Sequence, residues 1–182
     1  MFFLQTNGSG VLSFNSPSGD FVKLGSTSAS GSTSISVDGY FTSAYDFYMV
    51  RILGCTATVD GQDLHLRFNR SGSAVTTSNY TFQIGRLYGN NTIDNSGLDN
   101  TSGYRVWYGT SGNNKTHATL WFYNPLASEY PSMHYNANCW SVGNTFDLFG
   151  SVALKTTGAI SGFTLYNGTM SIDNITIYGM KD

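Results

Sequence analysis

Apolar and polar residues alternate along much of this chain with a period of two, the spacing that turns one face of an extended strand inward. In residues 63–70, Leu64, Leu66 and Phe68 fall on one side and His65, Arg67 and Asn69 on the other. Tyr80, Phe82 and Ile84 repeat the pattern, and Ser34-Ile-Ser-Val37 is a shorter instance. Residues 45–53 form a mostly apolar run ending at Gly54, which predicts a central strand covered on both faces. Further strands are predicted at 104–108, 117–123, 132–135, 145–154, 162–166, 169–172 and 174–178. Asn124-Pro125 stops one of them, because proline cannot donate to a ladder. Tyr166-Asn-Gly-Thr169 predicts a hairpin, since Asn-Gly readily supplies two positive φ angles. Residues 89–103 are almost all loop formers and predict a long exposed loop.

No run of ten residues places apolar side chains at helical spacing. Short strands separated by turn signals therefore predict an all-β fold, an antiparallel β-sandwich of jelly-roll type over residues 31–182. Residues 1–30 predict a short extended arm or small hairpin for anchoring or assembly, with one extended piece at Val11 to Phe14 between turn-forming segments.

Composition strengthens this picture. The 182-residue chain suffices for one sizeable core. Charged residues make up only 11%, so Ser, Thr, Asn and 21 glycines must keep the surface wet, and these residues disfavour helix interiors. Aromatics, at 15%, suit sheets. With a net charge of −2 and nine scattered Lys and Arg, no basic stripe offers itself to a nucleic acid. No apolar run approaches the roughly 20 residues of a membrane-spanning helix. The first residues are apolar for only four positions and lack the basic flank of a signal peptide, so they read as the protein's own beginning.

Candidate chemistry is sparse. Cys55 and Cys139 are far apart in sequence; a disulfide is one reading, and two separate buried thiols are the preferred one. The Asn-x-Ser/Thr triplets at Asn69, Asn79, Asn114, Asn167 and Asn174 are read as chance matches. A glycosidase needs two converging carboxylates, yet most of the acidic residues fall in turns, and Glu129 stands beside Pro131 with no evident partner. His65, His117 and His134 lie singly on three strands, a poor metal signature. Asp94 and Asp99 sit in a Gly-bearing turn with oxygen ligands and are weak calcium candidates, lacking the spacing of a calcium loop. No cofactor and no catalytic residue is expected, and the chain reads as no enzyme. The aromatic residues are the better lead. Tyr104, Trp107, Trp121 and Tyr123 are candidate contacts for a sugar or a protein partner, provided that their faces are exposed; a core buried on both sides is the equal alternative.

Several segments resemble jelly-roll virion proteins of tailed bacteriophages, marine and cyanobacterial ones especially. They are Thr6-Asn-Gly-Ser-Gly-Val-Leu-Ser-Phe14, Phe21-Val-Lys-Leu24, Ser34-Ile-Ser-Val-Asp-Gly-Tyr-Phe-Thr-Ser-Ala-Tyr-Asp46, Gly162-Phe-Thr-Leu-Tyr-Asn-Gly-Thr169 and Asn174-Ile-Thr-Ile-Tyr-Gly-Met-Lys181. The resemblance spans nearly the whole chain and is loose in the middle. It implies a non-enzymatic structural protein on the virion surface, assembled in the host cytoplasm: a capsid decoration, or a tail or fibre appendage used in host attachment. It implies a homo-oligomer, a trimer foremost, touching other virion proteins. A lectin-like module binding host glycan, or a receptor-binding fibre tip, is the alternative. No catalytic residue comes with the resemblance.

Overall fold

The computed structural model describes residues 3–6, 12–15, 21–89, 92–109, 111, 114–141 and 144–180. Strands β1 (Phe3–Thr6) and β2 (Leu12–Asn15) form an antiparallel pair in register Phe3 to Asn15. The turn segments expected beside them, residues 7–10 and 16–19, lie outside the described residues, as does Val11. The other strands are β3 (Phe21–Asp38), β4 (Phe47–Ala57), β5 (Gln62–Arg70), β6 (Ser73–Ala74), β7 (Tyr80–Tyr88) and β8 (Ile93–Thr101), followed by β9 (Tyr104–Gly109), β10 (Thr116–Tyr123), β11 (Ser132–Ser141), β12 (Asn144–Leu154) and β13 (Gly162–Met180). No helix occurs among the described residues.

Strands β3 to β13 make one antiparallel sheet of 11 strands that folds over into two layers. Strand β13 carries the fold-over. Its first part, Gly162–Tyr166, lies between β3 and β5, and its second, Met170–Met180, between β3 and β4. The larger layer runs β3-β13-β4-β10-β11-β12-β7-β8, and the smaller β3-β13-β5-β9, with β6 on the end of β5. Among the described residues, strand β9 forms its ladder with β5 and packs across the core against β10, β11 and β12. The result is the antiparallel sandwich of jelly-roll type that the alternation predicts.

Four local expectations are corrected. Asn167-Gly168 does adopt positive φ, 78° and 145°, but the chain does not reverse there. The two residues form an irregularity at which β13 leaves one layer for the other, as a bulge bends a strand. Residues 93–101, expected as loop, are β8 along the edge of β7. Ladder hydrogen bonds to β7 override the poor strand propensity of Asp, Asn and Gly. Strand β4 is covered on one face only: Tyr48, Val50 and Ile52 are buried, whereas Arg51 and Leu53 are exposed. Strand β3 also continues through the boundary expected at residue 30, so residues 21–30 belong to the sheet.

The core between the layers is unusually aromatic, with Trp107, Tyr48, Tyr80, Tyr104, Tyr135, Phe68, Phe122 and Phe163 wholly buried. Each buried phenol needs a partner. The Tyr48 hydroxyl accepts from the Thr42 N–H at 2.7 Å and donates to the Thr42 carbonyl at 2.6 Å. That of Tyr80 accepts from the Phe68 N–H and donates to the Val75 carbonyl, both at 3.0 Å. Tyr104 donates to Tyr135.

Cys55 and Cys139 are both buried, and no disulfide joins them. Burial pushes the Cys55 thiol up to about 11. Thiol reagents at pH 8 are therefore expected to label Cys55 only as fast as the protein opens. An unfolded thiol ionises from about pH 8.5 and the folded one does not, so this group makes stability fall as pH rises from about 9 toward 11. Rapid stoichiometric labelling of the native protein at Cys55 would contradict the packing described.

Candidate functional site

In the larger layer, alternation sends one set of side chains into the core and the other onto an open face. On β10, Ala118, Leu120 and Phe122 are buried, and His117, Thr119, Trp121 and Tyr123 face out. On β11, Met133, Tyr135, Ala137 and Cys139 point in, and His134, Asn136 and Asn138 point out. Register then lines up the outward residues across strands. One row runs Met49, Trp121, His134, Ser151, Gln83; the next runs Arg51, Thr119, Asn136, Phe149, Gly85.

Two open depressions result. The first, about 620 Å³, is lined by Phe47, Trp121, Tyr123, His134, Gln83 and Asn95 among others. The second, about 790 Å³, is lined by Arg51, Leu53, His117, Asn138, Asp147 and Leu87 among others. Asn136 and Phe149 belong to both. Volumes of this order suit small-molecule ligands, whose sites run from roughly 300 to 1,000 Å³.

The rings are held in place locally. Tyr123 packs on Phe47 with centroids 5.2 Å apart and meets the edge of His134 at 5.6 Å. Phe149 lies over Gly85: a Cβ there would stand 2.4 Å from the Phe149 ring, so only glycine lets the ring settle on the sheet. Phe149 is nevertheless 50% exposed and Tyr123 48%. Asn138 donates to Asp147 at 2.9 Å, and the Gly54 N–H donates to His117 Nδ1 at 3.1 Å.

Of the residues singled out by sequence, Trp121 and Tyr123 stand on this face. Tyr104 and Trp107 do not. Both are wholly buried on β9, the strand that faces the core from the smaller layer, so their expectation as ligand contacts is corrected. Asp94 pairs with Arg86 at 2.8 Å and Asp99 with Lys155 at 2.7 Å, and the Lys155 hydrogen bond lowers the Asp99 carboxyl. Among the described residues no group of three or more His, Cys, Asp or Glu is placed to hold a metal ion. Sequence reasoning missed Phe149, Phe47, Arg51 and the amides. Phe149 was discoverable, because it occupies a polar position in the alternation of Phe146, Leu148, Val152 and Leu154.

A smaller concavity of about 290 Å³ lies beside Asp63, His65, Arg105 and Tyr166. Its charges are already spent on one another: Arg105 pairs with Asp63 at 3.2 Å, and the Arg67 guanidinium stands 4.0 Å over the Tyr166 ring. Burial pushes the Asp63 carboxyl up and the His65 imidazole down. The open face, with its unspent rings and amides, is the better candidate. No family model matches the sequence and no curated protein matches it.

Proposed function

We propose that the chain is a non-catalytic module that binds glycan on the open face of its larger layer. The observation that carries this reading is the pairing of aromatic rings, Tyr123 and Phe149 exposed and Trp121 half-buried, with planar amides on one floor. Trp121, Tyr123 and Phe149 offer apolar faces to the C–H side of a sugar ring, and Gln83, Asn95 and Asn136 offer donors and acceptors to its hydroxyls. The floor crosses five strands from β4 to β7, four spacings and roughly 19 Å, room for more than one sugar unit. A binding role is favoured over hydrolysis because Asp147 is the sole carboxylate among the described lining residues, and glycosidases use two.

The proposed setting is the surface of a phage virion, as decoration or tail appendage, in a homo-oligomer. Its support is the resemblance; of the resembling segments, 21–24, the first five residues of 34–46, 162–169 and all but the last residue of 174–181 belong to the two strands β3 and β13, paired along one ribbon.

Trp121→Ala and Phe149→Ala are each expected to weaken glycan binding about tenfold or more, about 1.4 kcal/mol. The melting temperature should shift by no more than a few degrees, since both side chains lie outside the core. Isothermal titration of glycans found on an array reads the first effect, and thermal denaturation the second. An array without hits, or hits untouched by both substitutions, refutes the reading.

A further inference from the structure

The five arginines of the chain are not alike. Arg67 donates to the Ser102 carbonyl, Arg70 to Thr156 and Gly158, Arg86 pairs with Asp94, and Arg105 pairs with Asp63. Arg51 is the exception: among the described residues it has no hydrogen bond and no ion pair. It projects from the outer face of β4 into the second depression. Its cross-strand neighbours are Thr119 on β10 and Thr176 on β13, which bring no charge. Asp147 lines the same depression, but three strands further on, roughly 14 Å at about 4.8 Å per spacing.

We infer that the glycan bound on this face is acidic, with a sugar carboxylate or sulfate ester received by the Arg51 guanidinium. The inference rests on the glycan reading above and adds the ligand's charge and orientation. A guanidinium fork presents paired N–H donors that match a planar carboxylate or two sulfate oxygens. His117 also lines this depression, and because its Nδ1 accepts the Gly54 N–H, its Nε2 is left as a donor. At the far end Asp147, held by Asn138, accepts from neutral hydroxyls and repels acid. The acidic unit therefore lies over β4 and β10, and the neutral part extends over Phe149 toward β7.

The test titrates the full chain with tetragalacturonate, its fully methyl-esterified form, a sulfated galactan tetrasaccharide and cellotetraose at low ionic strength. Expected is binding of an acidic member about tenfold or more tighter than its neutral counterpart. That preference should shrink as salt rises and disappear in Arg51→Gln. Arg51→Lys should restore part of the preference for sulfate and less of that for carboxylate. Equal affinity for acidic and neutral members, or a preference untouched by Arg51→Gln, overturns the acidic inference and leaves the glycan reading standing. Absence of binding by all four overturns the inference, and if a wider array is also blank the glycan reading falls with it.

Discussion

Trp107→Ala is expected to destabilise the protein by about 3–5 kcal/mol, the cost of emptying a fully buried aromatic site. For a domain of this size that lowers the melting temperature by roughly 10 °C. Trp107 has no exposed surface and sits on β9, the strand that bridges the core from the smaller layer. Opposite Leu64 on β5, it belongs to the continuous buried core between the two layers. Trp121→Ala is the internal control, because it removes the same residue type from the outer face. The pair separates the two roles that aromatic residues play in this chain, and equal losses of stability in both variants would contradict the assignment of faces.

Gly162→Ala should be nearly as damaging, at about 3 kcal/mol, the upper end of the usual range for overpacking. Gly162 opens β13 between Asp38 of β3 and Asn69 of β5. A Cβ there would stand 2.1 Å from the Val37 carbonyl oxygen and 2.7 Å from the Asp38 Cα, both backbone atoms that no rotamer change can move. Relief requires the strands to part, which strains the buried Asn69 side chain. Asn69 donates to Ser36 at 3.0 Å and to Asp38 at 3.3 Å, and accepts from Thr164 at 2.7 Å. Gly89→Ala is the matched control, since its nearest neighbours would be at an ordinary 3.6 Å. Urea denaturation of both variants checks the difference, and equal midpoints would refute it.

Strands whose two faces differ were legible from sequence. Leu64, Leu66 and Phe68, and Tyr80, Phe82 and Ile84, are all buried as their alternation predicts. Strand β8 was not legible, because Ile93, Asn95, Gly97, Leu98 and Asp99 are all exposed and an edge strand with little buried surface leaves no periodic mark. The bend at Asn167-Gly168 was misread for a related reason. Positive φ is a local preference, and whether it closes a hairpin or deflects a strand depends on the neighbours, here β3 running alongside both halves of β13. The candidate face was half legible. Trp121 and Tyr123 were identified by type, but a period of two cannot say which side of a sheet meets the other layer. That choice rests on register: across β4, β10, β11, β12 and β7 it turned Arg51 outward, and on β9, opposite Leu64 of β5, it turned Trp107 inward.

The position of β13 also governs when this protein can fold during its synthesis. Strands β3, β4 and β5 are complete by residue 70, but their shared partner ends at residue 180. At roughly 5–20 residues per second, a ribosome leaves those early strands without it for some 5–20 s. During that interval neither layer is closed, and their unpaired edges are available to other nascent chains or to a chaperone. Completion of the domain is thus a late event that waits for the 19-residue β13 to emerge, and a slow one because β13 pairs with strands far back in the sequence.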